Sequence, residues 1–254
     1  MKGKEIRLQR LIQNGKMLCV PMDHGVTTEN IGDLVFFEET VNNIVLGGAS
    51  AIVIHKGMLR LLNNIPPTIG VIIHLSASTK MDCEVKKVLV CDVEEALSLG
   101  ADAVSIHINF SNSYEKEMLQ DFSKIAGECQ KLGVPLLAMV YIRNNNNEDI
   151  STPQSLRHSI RIATEIGADI IKISFNPSWN IDLLQELVKT SPVPIIVAGG
   201  SLYNSQNEFF CYADKVMKTG VLGVSFGRNV FMSKDQKETM KTLSSIVYKN
   251  NTTY

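Results

Sequence analysis

The chain has 254 residues, of which 44% are hydrophobic and 20% charged, and its formal net charge is −1. This composition is typical of a globular protein that buries a sizeable core, and the length fits one large domain. The near-zero charge excludes a general attraction to nucleic acid or to an acidic membrane, so any phosphate must be bound by a local site.

The cysteines are scattered along the chain, odd in number and without a CxxC pair: Cys19, Cys83, Cys91, Cys129 and Cys211. This pattern favours reduced thiols in a cytosol over a disulfide framework or a zinc site. The charged N-terminal segment is followed by no apolar run typical of a signal peptide, and no apolar stretch approaches the roughly 18 residues that span a bilayer. We therefore expect a soluble, cytoplasmic protein.

One unit recurs along the chain, a short apolar run followed by a helical pattern. An amphipathic helix is predicted at the N-terminus, before the first run. The predicted strands are residues 17–22, 51–55, 68–75, 103–108, 135–141, 170–174, 194–198 and 221–227. The predicted helices are residues 34–47, 92–99, 113–131, 153–166, 180–190, 205–219 and 234–249, with a shorter stub within 57–66. The strands are continuous apolar runs, as expected of parallel strands that are covered on both faces.

Three of the helices pass to the next strand through related phrases that contain Gly100, Gly167 or Gly220. Each glycine follows the last helical turn, where a residue with positive φ is favourable. Eight such strand–helix units favour an α/β fold of the (β/α)8 TIM-barrel type, a single domain over residues 1–254. An open doubly wound sheet is the alternative, but the GxGxxG turn usual after its first strand is absent.

Lys172 is the most informative residue at the predicted rim, because barrel active sites form at the C-terminal ends of the strands. It lies between Ile171 and Ile173, and alternation along the strand points it into the barrel. Burial disfavours the ammonium form, so we expect a lowered pKa and a free amine that attacks a carbonyl to form a Schiff base. The alternative is a lysine paired with a barrel carboxylate for structure.

Asp23 and Tyr141 end the first and fifth predicted strands and can serve the same chemistry. Schiff-base formation needs a group that carries protons during carbinolamine dehydration, and an acid or base for the substrate hydroxyl. Without such a role, Asp23 would be an N-capping aspartate and Tyr141 a core tyrosine with a satisfied hydroxyl.

Two glycine-containing turns follow the last two strands, Gly199-Gly200 and Gly227-Arg228. Barrels often bind phosphate at these two places through backbone N–H groups. Glycine lets the backbone approach the ligand, and Arg228 adds charge. Although glycines also serve tight turns, their occurrence after both strands predicts a phosphate site.

Four histidines also fall at strand ends: His24, His55, His74 and His107. No HxxH or HxH spacing groups them and few carboxylates accompany them, so hydrogen-bonding histidines are favoured over a metal site. After the fifth strand, residues 144–152 form a polar run that is either a solvated loop or a mobile flap over the site.

Several phrases together resemble the DeoC/FbaB class I aldolase family, over about residues 6 to 249. They are PMDHG (21–25), HKG (55–57), residues 93–109, PLLAMVY (135–141), GADIIKIS (167–174), PIIVAGG (194–200) and GVSFGRNVF (223–231). The resemblance implies that Lys172 is the Schiff-base lysine, Tyr141 the proton donor and Asp23 the general base. It also implies substrate-binding roles for His24, Gly25, Val26, Thr27, Ile142 and Arg143, and phosphate-binding roles for Gly199, Gly200, Gly227 and Arg228.

Members of this family join a three-carbon ketose-phosphate unit to an aldehyde without a metal or other cofactor. In two similar branches the aldehyde is L-aspartate 4-semialdehyde. The donor is dihydroxyacetone phosphate in the branch that makes a 3-amino-4-hydroxybenzoate precursor, and the product is of the amino-heptulosonate type. In an archaeal aromatic pathway the three-carbon unit comes from a deoxy-diulose phosphate, so that reaction is a transaldolation. Relatives form homo-oligomers, among them decamers.

We expect the dihydroxyacetone phosphate reaction first and the transaldolation second. A non-catalytic barrel that binds a phosphorylated metabolite is a third hypothesis, and a metal-dependent aldolase is a fourth. Three departures limit the comparison. Ile142 and Asn144 stand where archaeal sequences read Pro and Gly, and Met139 replaces the Trp of the sugar-bisphosphate aldolases. The second departure argues against a plain fructose-bisphosphate aldolase, and HLSAST (74–79) resembles the aminohydroxybenzoate branch.

Overall fold

Eight parallel strands form a closed barrel in a computed structural model, which describes residues 2–28, 32–79, 81 and 85–249, with the backbone only of Asp33. The barrel strands are β1 Met17–Pro21, β2 Ala51–Ile54, β3 Gly70–His74, β4 Ala103–Phe110, β5 Leu136–Ile142, β6 Ile170–Ile173, β7 Ile195–Ala198 and β8 Gly223–Ser225. Their order is β1-β8-β7-β6-β5-β4-β3-β2, and β2 pairs with β1 again. This closure confirms the single-domain (β/α)8 barrel and excludes the open doubly wound sheet. The predicted domain limits, 1 and 254, lie outside the described residues.

Helices alternate with the strands and cover the barrel. They are α1 Lys2–Leu11, α2 Phe37–Leu46, α3 Lys56–Leu59, α4 Val93–Ser98, α5 Glu115–Leu132, α6 Pro153–Ile166, α7 Ile181–Thr190, α8 Gln206–Met217, α9 Arg228–Phe231 and α10 Gln236–Tyr248. The helix predicted from residue 34 begins at Phe37 instead, because a 3-10 turn, Gly32–Phe36, precedes it. The stub predicted after β2 is a single helical turn, Lys56–Leu59.

Local side chains fix where several helices begin. Asp92, Thr152, Ser205 and Asp235 each accept a hydrogen bond from the backbone N–H three residues later. Such N-caps satisfy donors that have no partner within the helix. At the other ends, Gly100, Gly167 and Gly220 have φ values of 96°, 116° and 89°, which confirms the positive φ predicted for them.

Alternate strand residues divide the core into two layers. Those that point outward pack under the helices, and those that point inward fill the barrel. The inward set comprises Met17, Cys19, Ala51, Val53, Ile72, Ala103, Leu137, Met139, Ile170 and Ile196. At the seam, a Cβ on Gly223 would lie 1.8 Å from the Met17 carbonyl oxygen, so only glycine lets β8 approach β1 this closely.

Helix α1 closes the N-terminal end of the barrel. Its last residue, Leu11, is fully buried against the inward-pointing set. Two ion pairs hold the helix there: Lys4 Nζ lies 2.7 Å from Asp169 Oδ2, and Arg10 Nε lies 2.6 Å from Asp102 Oδ1. The C-terminal ends of the strands therefore remain as the open end.

Two segments at the open end were not predicted in this form. Ser76–Ala77 pairs antiparallel with Val88–Leu89 after β3, and we call this pair the rim ribbon. Residues 144–152 contain a hydrogen-bonded turn in which Asn144 N–H donates to the Glu148 carbonyl and Arg143 bridges to Asp149. The polar run is thus a short ordered hairpin, and its motion as a flap stays a prediction.

No helix in the described part of the chain is long and apolar enough to cross a membrane. Four cysteines are free: Cys19, Cys91 and Cys129 are buried and Cys211 is exposed. Cys83 lies outside the described residues. The cytoplasmic location stays a prediction.

Candidate active site

Lys172 lies inside the barrel near its open end. Ile171 and Ile173 point into the outer core, which leaves Lys172 on the inward face of β6, as predicted. Its residue is only 5% exposed. Its Nζ lies 3.8 Å from Met139 Sδ on the neighbouring strand, and a thioether is a weak acceptor. The amine is therefore largely shielded from water, and its contact with Met139 is not an ion pair.

The pKa of Lys172 differs from the sequence-based expectation. Burial lowers it, but electrostatic attraction to Tyr141 and Asp23 outweighs burial, and the pKa lies above its ordinary value. The predicted lowering of the pKa is therefore wrong for the unliganded site. The amine is held as an ammonium near neutral pH, so attack on a carbonyl requires transfer of its proton to another group.

Asp23 is the carboxylate that accompanies Lys172. Its Oδ1 lies 3.7 Å from His24 Nδ1, and its Oδ2 lies 3.8 Å from His74 Nε2. Burial raises the pKa of Asp23, but the combined attraction of His74, His24 and Lys172 lowers it by more. The pKa of Asp23 therefore lies well below its usual range. Asp23 makes no side-chain cap bond to the 3-10 turn that follows it, so the N-cap alternative is wrong.

His74 and His24, whose ring nitrogens lie within 4 Å of the Asp23 carboxylate, are neutral near pH 7. Burial lowers the pKa of His74 to about 4, against a partly opposing effect of Asp23, and it lowers the pKa of His24 as well. His74 Nδ1 lies 2.8 Å from Ser105 Oγ, which leaves its Nε2 toward Asp23. Among the described residues, no three His, Cys, Asp or Glu side chains form a group suited to a metal ion.

Tyr141 is the last residue but one of β5 and lies on the same face of the barrel as Met139. Its ring stacks on His107 with centroids 4.5 Å apart and planes 21° apart, and the Arg143 guanidinium carbon lies 5.6 Å from the Tyr141 centroid. The residue is half-buried. It faces a cavity, so it is not an ordinary core tyrosine.

The three predicted catalytic residues line one cavity of about 150 Å³ at the open end of the barrel. The other lining residues come from strands β3 to β5, from the segments that follow β1 and β2, and from the rim ribbon and the residue before its second strand. They are His24, Thr27, His55, His74, Ser76, Ala77, Lys87, His107 and Met139. One buried ammonium, one half-buried carboxylate and one phenol thus meet in a small space. Together they can form an imine and move protons beside it.

The predicted phosphate-binding turns lie beside this cavity and do not line it. Gly199 and Gly200 line a larger neighbouring pocket of about 450 Å³, together with Ser174, Trp179 and Tyr203 among others. A Cβ on Gly199 would lie 2.8 Å from the Phe226 ring, and Gly200 has a φ of 66°. Both positions therefore need glycine for reasons of space or conformation.

Arg228 joins the two turns. Its Nη2 donates a hydrogen bond of 2.7 Å to the Gly200 carbonyl, and the residue is otherwise exposed. Gly227 is buried, and a Cβ there would lie 2.8 Å from both His24 Cε1 and the Pro21 carbonyl oxygen. The turns after β7 and β8 thus form one unit next to the catalytic cavity.

The remaining predicted substrate-binding residues are placed unevenly. His24 and Thr27 line the catalytic cavity, whereas Gly25 and Val26 are exposed on the 3-10 turn between them. The side chain of Ile142 is buried in the outer core. Only its backbone is therefore available to a ligand.

Lys87 is a cavity residue that the sequence did not indicate. It precedes the second strand of the rim ribbon, and its Nζ lies 2.5 Å from Ser78 Oγ. Burial lowers the pKa of Lys87 from its ordinary value. Because Lys87 follows no barrel strand directly, the rule that points to strand ends does not find it.

Comparisons with known proteins identify the family of the chain. A model of the DeoC/LacD aldolase family matches residues 17–233. The chain is 37% identical over 254 residues to 2-amino-3,7-dideoxy-D-threo-hept-6-ulosonate synthase 1 of Archaeoglobus fulgidus, covering 98% of this chain and 93% of the relative. It is 33% identical over 257 residues to 2-amino-4,5-dihydroxy-6-oxo-7-(phosphonooxy)heptanoate synthase of Streptomyces griseus, covering 98% and 92%.

The fold also matches a solved structure of an archaeal fructose-1,6-bisphosphate aldolase whose catalytic lysine is covalently bound to the carbinolamine intermediate of the substrate. The TM-score is 0.87 at 26% identity, with 97% of this chain and 99% of that chain covered. The family match spans most of the chain, and relatives above 30% identity cover nearly all of it. The chain therefore belongs to the DeoC/LacD aldolase family and is a class I aldolase.

Proposed function

We propose that this aldolase joins dihydroxyacetone phosphate to L-aspartate 4-semialdehyde, with Lys172 as the Schiff-base lysine. The observation that carries the proposal is the meeting of buried Lys172, ionised Asp23 and Tyr141 around one small cavity. Without such a lysine, a metal-free site would have no electron sink for the bond that forms.

The first step is addition of Lys172 to the donor ketone. The ammonium must first lose a proton, and Asp23 is the ionised carboxylate of the cavity. Part of the low pKa of Asp23 comes from the charge of Lys172, so loss of that charge makes Asp23 a stronger base at the moment it is needed. Nζ then bonds to the carbonyl carbon, and the carbonyl oxygen gains a proton to give the carbinolamine.

The later steps need proton transfer at the cavity wall formed by Tyr141. The carbinolamine hydroxyl leaves as water once it has gained a proton, which gives the iminium ion. The phenolate that Tyr141 became by protonating the hydroxyl takes a proton from the adjacent carbon, which gives an enamine and restores the phenol. The same carbon then bonds to the aldehyde carbon of the acceptor. We assign to Tyr141 the proton delivered to the departing hydroxyl and to the new alkoxide. Hydrolysis of the imine then releases the product and Lys172.

The phosphate of the donor is assigned to the unit formed by Gly199, Gly200, Gly227 and Arg228. At Gly199 and Gly200 no side chain covers the backbone, so N–H groups can approach an anion. The Arg228 guanidinium is anchored to this turn by its bond to Gly200 and brings a positive charge to it. The unit lies beside Lys172 along the rim, since β7 and β8 follow β6 around the barrel.

The name of the Streptomyces griseus relative supports the choice of substrates. A 2-amino-4,5-dihydroxy-6-oxo-7-(phosphonooxy)heptanoate is divided, between C4 and C5, into dihydroxyacetone phosphate and a four-carbon amino-acid aldehyde. Its C6 carbonyl is the carbon that a Schiff-base lysine would hold. The new bond is therefore made by C5, the carbon next to the imine carbon, as an enamine mechanism requires.

Trapping with borohydride tests the Schiff base. Incubation with dihydroxyacetone phosphate and borohydride should leave a reduced adduct on the peptide that contains Lys172, detected by mass spectrometry. Lys172→Met should abolish the adduct, whereas Lys56→Met, which removes a half-buried lysine paired with Glu95, should keep it. An adduct that persists in Lys172→Met would overturn the assignment, and activity should survive EDTA.

A second candidate is the transaldolase reaction, favoured by the higher identity to the Archaeoglobus fulgidus relative, 37% against 33%. The first intermediate is the same, so the three catalytic residues do not separate the two reactions. The enzyme should be incubated with L-aspartate 4-semialdehyde and either dihydroxyacetone phosphate or a deoxy-diulose phosphate, and the products identified by mass spectrometry. Turnover of the diulose phosphate alone would reverse our order.

We further propose that the enzyme acts as a cytoplasmic homo-oligomer. The scattered cysteines support the cytoplasmic location, and the assemblies implied by the family resemblance support the homo-oligomer. Native mass spectrometry measures the assembly directly, and a monomer at micromolar concentration would contradict it.

A further inference from the structure

We infer that Lys87 binds a carboxylate carried by the acceptor aldehyde, at the end of the substrate opposite the phosphate. This inference rests on the proposed function, since it takes the donor phosphate to lie at the glycine turns. It adds to that function a chemical requirement on the acceptor.

The order of the strands places Lys87 opposite the phosphate unit. The rim ribbon follows β3, and Gly199 and Gly200 follow β7. In the closed order of eight strands, β3 and β7 are four positions apart in either direction, so they face each other across the barrel. A substrate held by its phosphate near β7 and by its carbonyl carbon at Lys172 on β6 therefore extends toward the β3 side.

Lys87 lines the cavity that also contains Lys172, Asp23 and Tyr141. Its ammonium is half-buried, and its hydrogen bond from Nζ to Ser78 Oγ leaves further N–H groups for a ligand, because an ammonium has three donors. Withdrawal from water costs this charge part of its hydration, and a bound anion would compensate for that loss.

The chemistry at Lys87 fits a carboxylate. A single ammonium next to a serine hydroxyl matches the single charge of a carboxylate, and the cavity of about 150 Å³ must also hold the reacting carbons. Arg143 lies close enough to Lys87 to repel it electrostatically, which adds positive potential on this side. Asp23 attracts Lys87 more strongly than Arg143 repels it, and its negative charge would repel a bound anion. The positive charge of Lys172 in the same cavity offsets that repulsion.

A matched pair of aldehydes isolates the carboxylate. Succinate semialdehyde and butanal have the same carbon chain, and only the first has a carboxylate. With dihydroxyacetone phosphate as donor, the wild-type enzyme should prefer succinate semialdehyde in kcat/KM. Lys87→Met should reduce that preference by about 10- to 100-fold, mainly through KM, because a charge-assisted hydrogen bond is lost.

The control is Lys86→Met, whose ammonium lies 5.4 Å from the Tyr114 ring centroid and does not line the cavity. It should keep the wild-type preference. Lys87→Arg should recover most of the preference, and Lys87→Gln gives a second neutral variant should Lys87→Met fold poorly. The borohydride adduct with dihydroxyacetone phosphate reports that each variant retains its donor site.

The outcomes separate the two proposals. If the wild-type enzyme forms no adduct with dihydroxyacetone phosphate, the proposed function fails and this inference fails with it. If the adduct forms but the neutral variants lose the same fraction of kcat/KM for both aldehydes, or keep the wild-type preference, only the assignment of Lys87 is wrong. If the neutral variants lose more kcat/KM for glyceraldehyde 3-phosphate than for succinate semialdehyde, the ligand of Lys87 is a phosphate and the carboxylate assignment is overturned.

Discussion

Tyr141 is positioned by the ring that it stacks on. Asn109 Nδ2 donates to the Val85 carbonyl at 2.7 Å, which turns Asn109 Oδ1 toward His107 Nε2 at 2.8 Å. Because Oδ1 can only accept, His107 donates from Nε2, and this assignment follows from the hydrogen-bond network. Burial holds the pKa of His107 well below its ordinary value, so the ring is neutral. His107 is a positioning residue for the Tyr141 phenol.

Replacement of His107 should therefore depend on shape. His107→Phe keeps an aromatic face against Tyr141, and we expect kcat to fall by less than about 5-fold. His107→Ala leaves the phenol unsupported, and we expect kcat to fall by about 10- to 100-fold with a smaller change in KM, since small errors in position are costly at this step. Steady-state kinetics measure both constants, and thermal unfolding checks that each variant is folded. Equal losses in the two variants would show that the imidazole nitrogens matter, and not the stack.

At the residue scale, the sequence predicts where side chains point better than it predicts their charge. The inward direction of Lys172 follows from alternation between Ile171 and Ile173, which needs no tertiary information. The raised pKa of Lys172 depends on Asp23 and Tyr141, which come from two other strands. A sum of opposing effects over such distances is not readable from local sequence.

Helix α1 has a structural task at the end of the barrel away from the chemistry. Leu11 is fully buried against the inward-pointing side chains, whereas Ile6 on the same helix is 63% exposed. A Cβ on Gly70 would lie 2.5 Å from Leu11 Cδ2, which shows how closely the helix end packs under β3. The catalytic groups sit at the opposite ends of the strands.

Leu11→Ala should accordingly affect stability and not catalysis. We expect the free energy of unfolding to fall by about 2 to 5 kcal/mol, the range for deleting a buried leucine side chain that leaves a cavity. Ile6→Ala is the matched control and should change it by less than about 0.5 kcal/mol. Denaturant unfolding measures both, and kcat of the folded fraction should stay at the wild-type value. A loss of kcat without a loss of stability would place α1 in the active site.

At the element scale, the predictable parts are those with a long pattern. All eight strands and the main helices were predicted within a few residues, because buried parallel strands are uninterrupted apolar runs. The rim ribbon and α9 were missed, since strands of two residues and a helix of four residues have no period to detect. Lys87 was missed with the ribbon that positions it.

At the scale of the whole molecule, barrel closure makes one site from residues far apart in sequence. The count of eight units predicts closure, and closure brings β1 beside β8. Asp23 thereby lies in the same cavity as Lys172, although about 150 residues separate them. The sequence predicts that Asp23 and Lys172 lie close together. That Gly199 and Gly200 line a neighbouring pocket instead depends on loop packing, such as the hydrogen bond from Arg228 to Gly200.

Closure also buries several neutral histidines, which makes the stability of the whole fold sensitive to acid. The pKa of His74 is about 4 in the folded protein, against an ordinary value of 6.5, because burial disfavours the imidazolium. Above pH 6.5 neither state binds a proton at His74. As the pH falls from 6.5 toward 4, the unfolded chain binds this proton and the folded protein does not, so folding loses free energy. His24 and His107 act in the same direction.

The free energy of unfolding should therefore fall between pH 6.5 and pH 4, by about 3 kcal/mol from His74 alone, at 1.36 kcal/mol per pKa unit. Asp23 adds to the slope only at the acid end of this window, because its depressed pKa keeps its stabilisation constant until the pH approaches its ordinary value of 3.8. Denaturant unfolding at pH 7, 5.5 and 4.5 measures the slope. His74→Gln has no group to titrate, so its slope should be shallower even if loss of the Ser105 contact lowers its stability at every pH. If the slopes of the two proteins are equal, His74 is not the buried neutral group that its surroundings indicate.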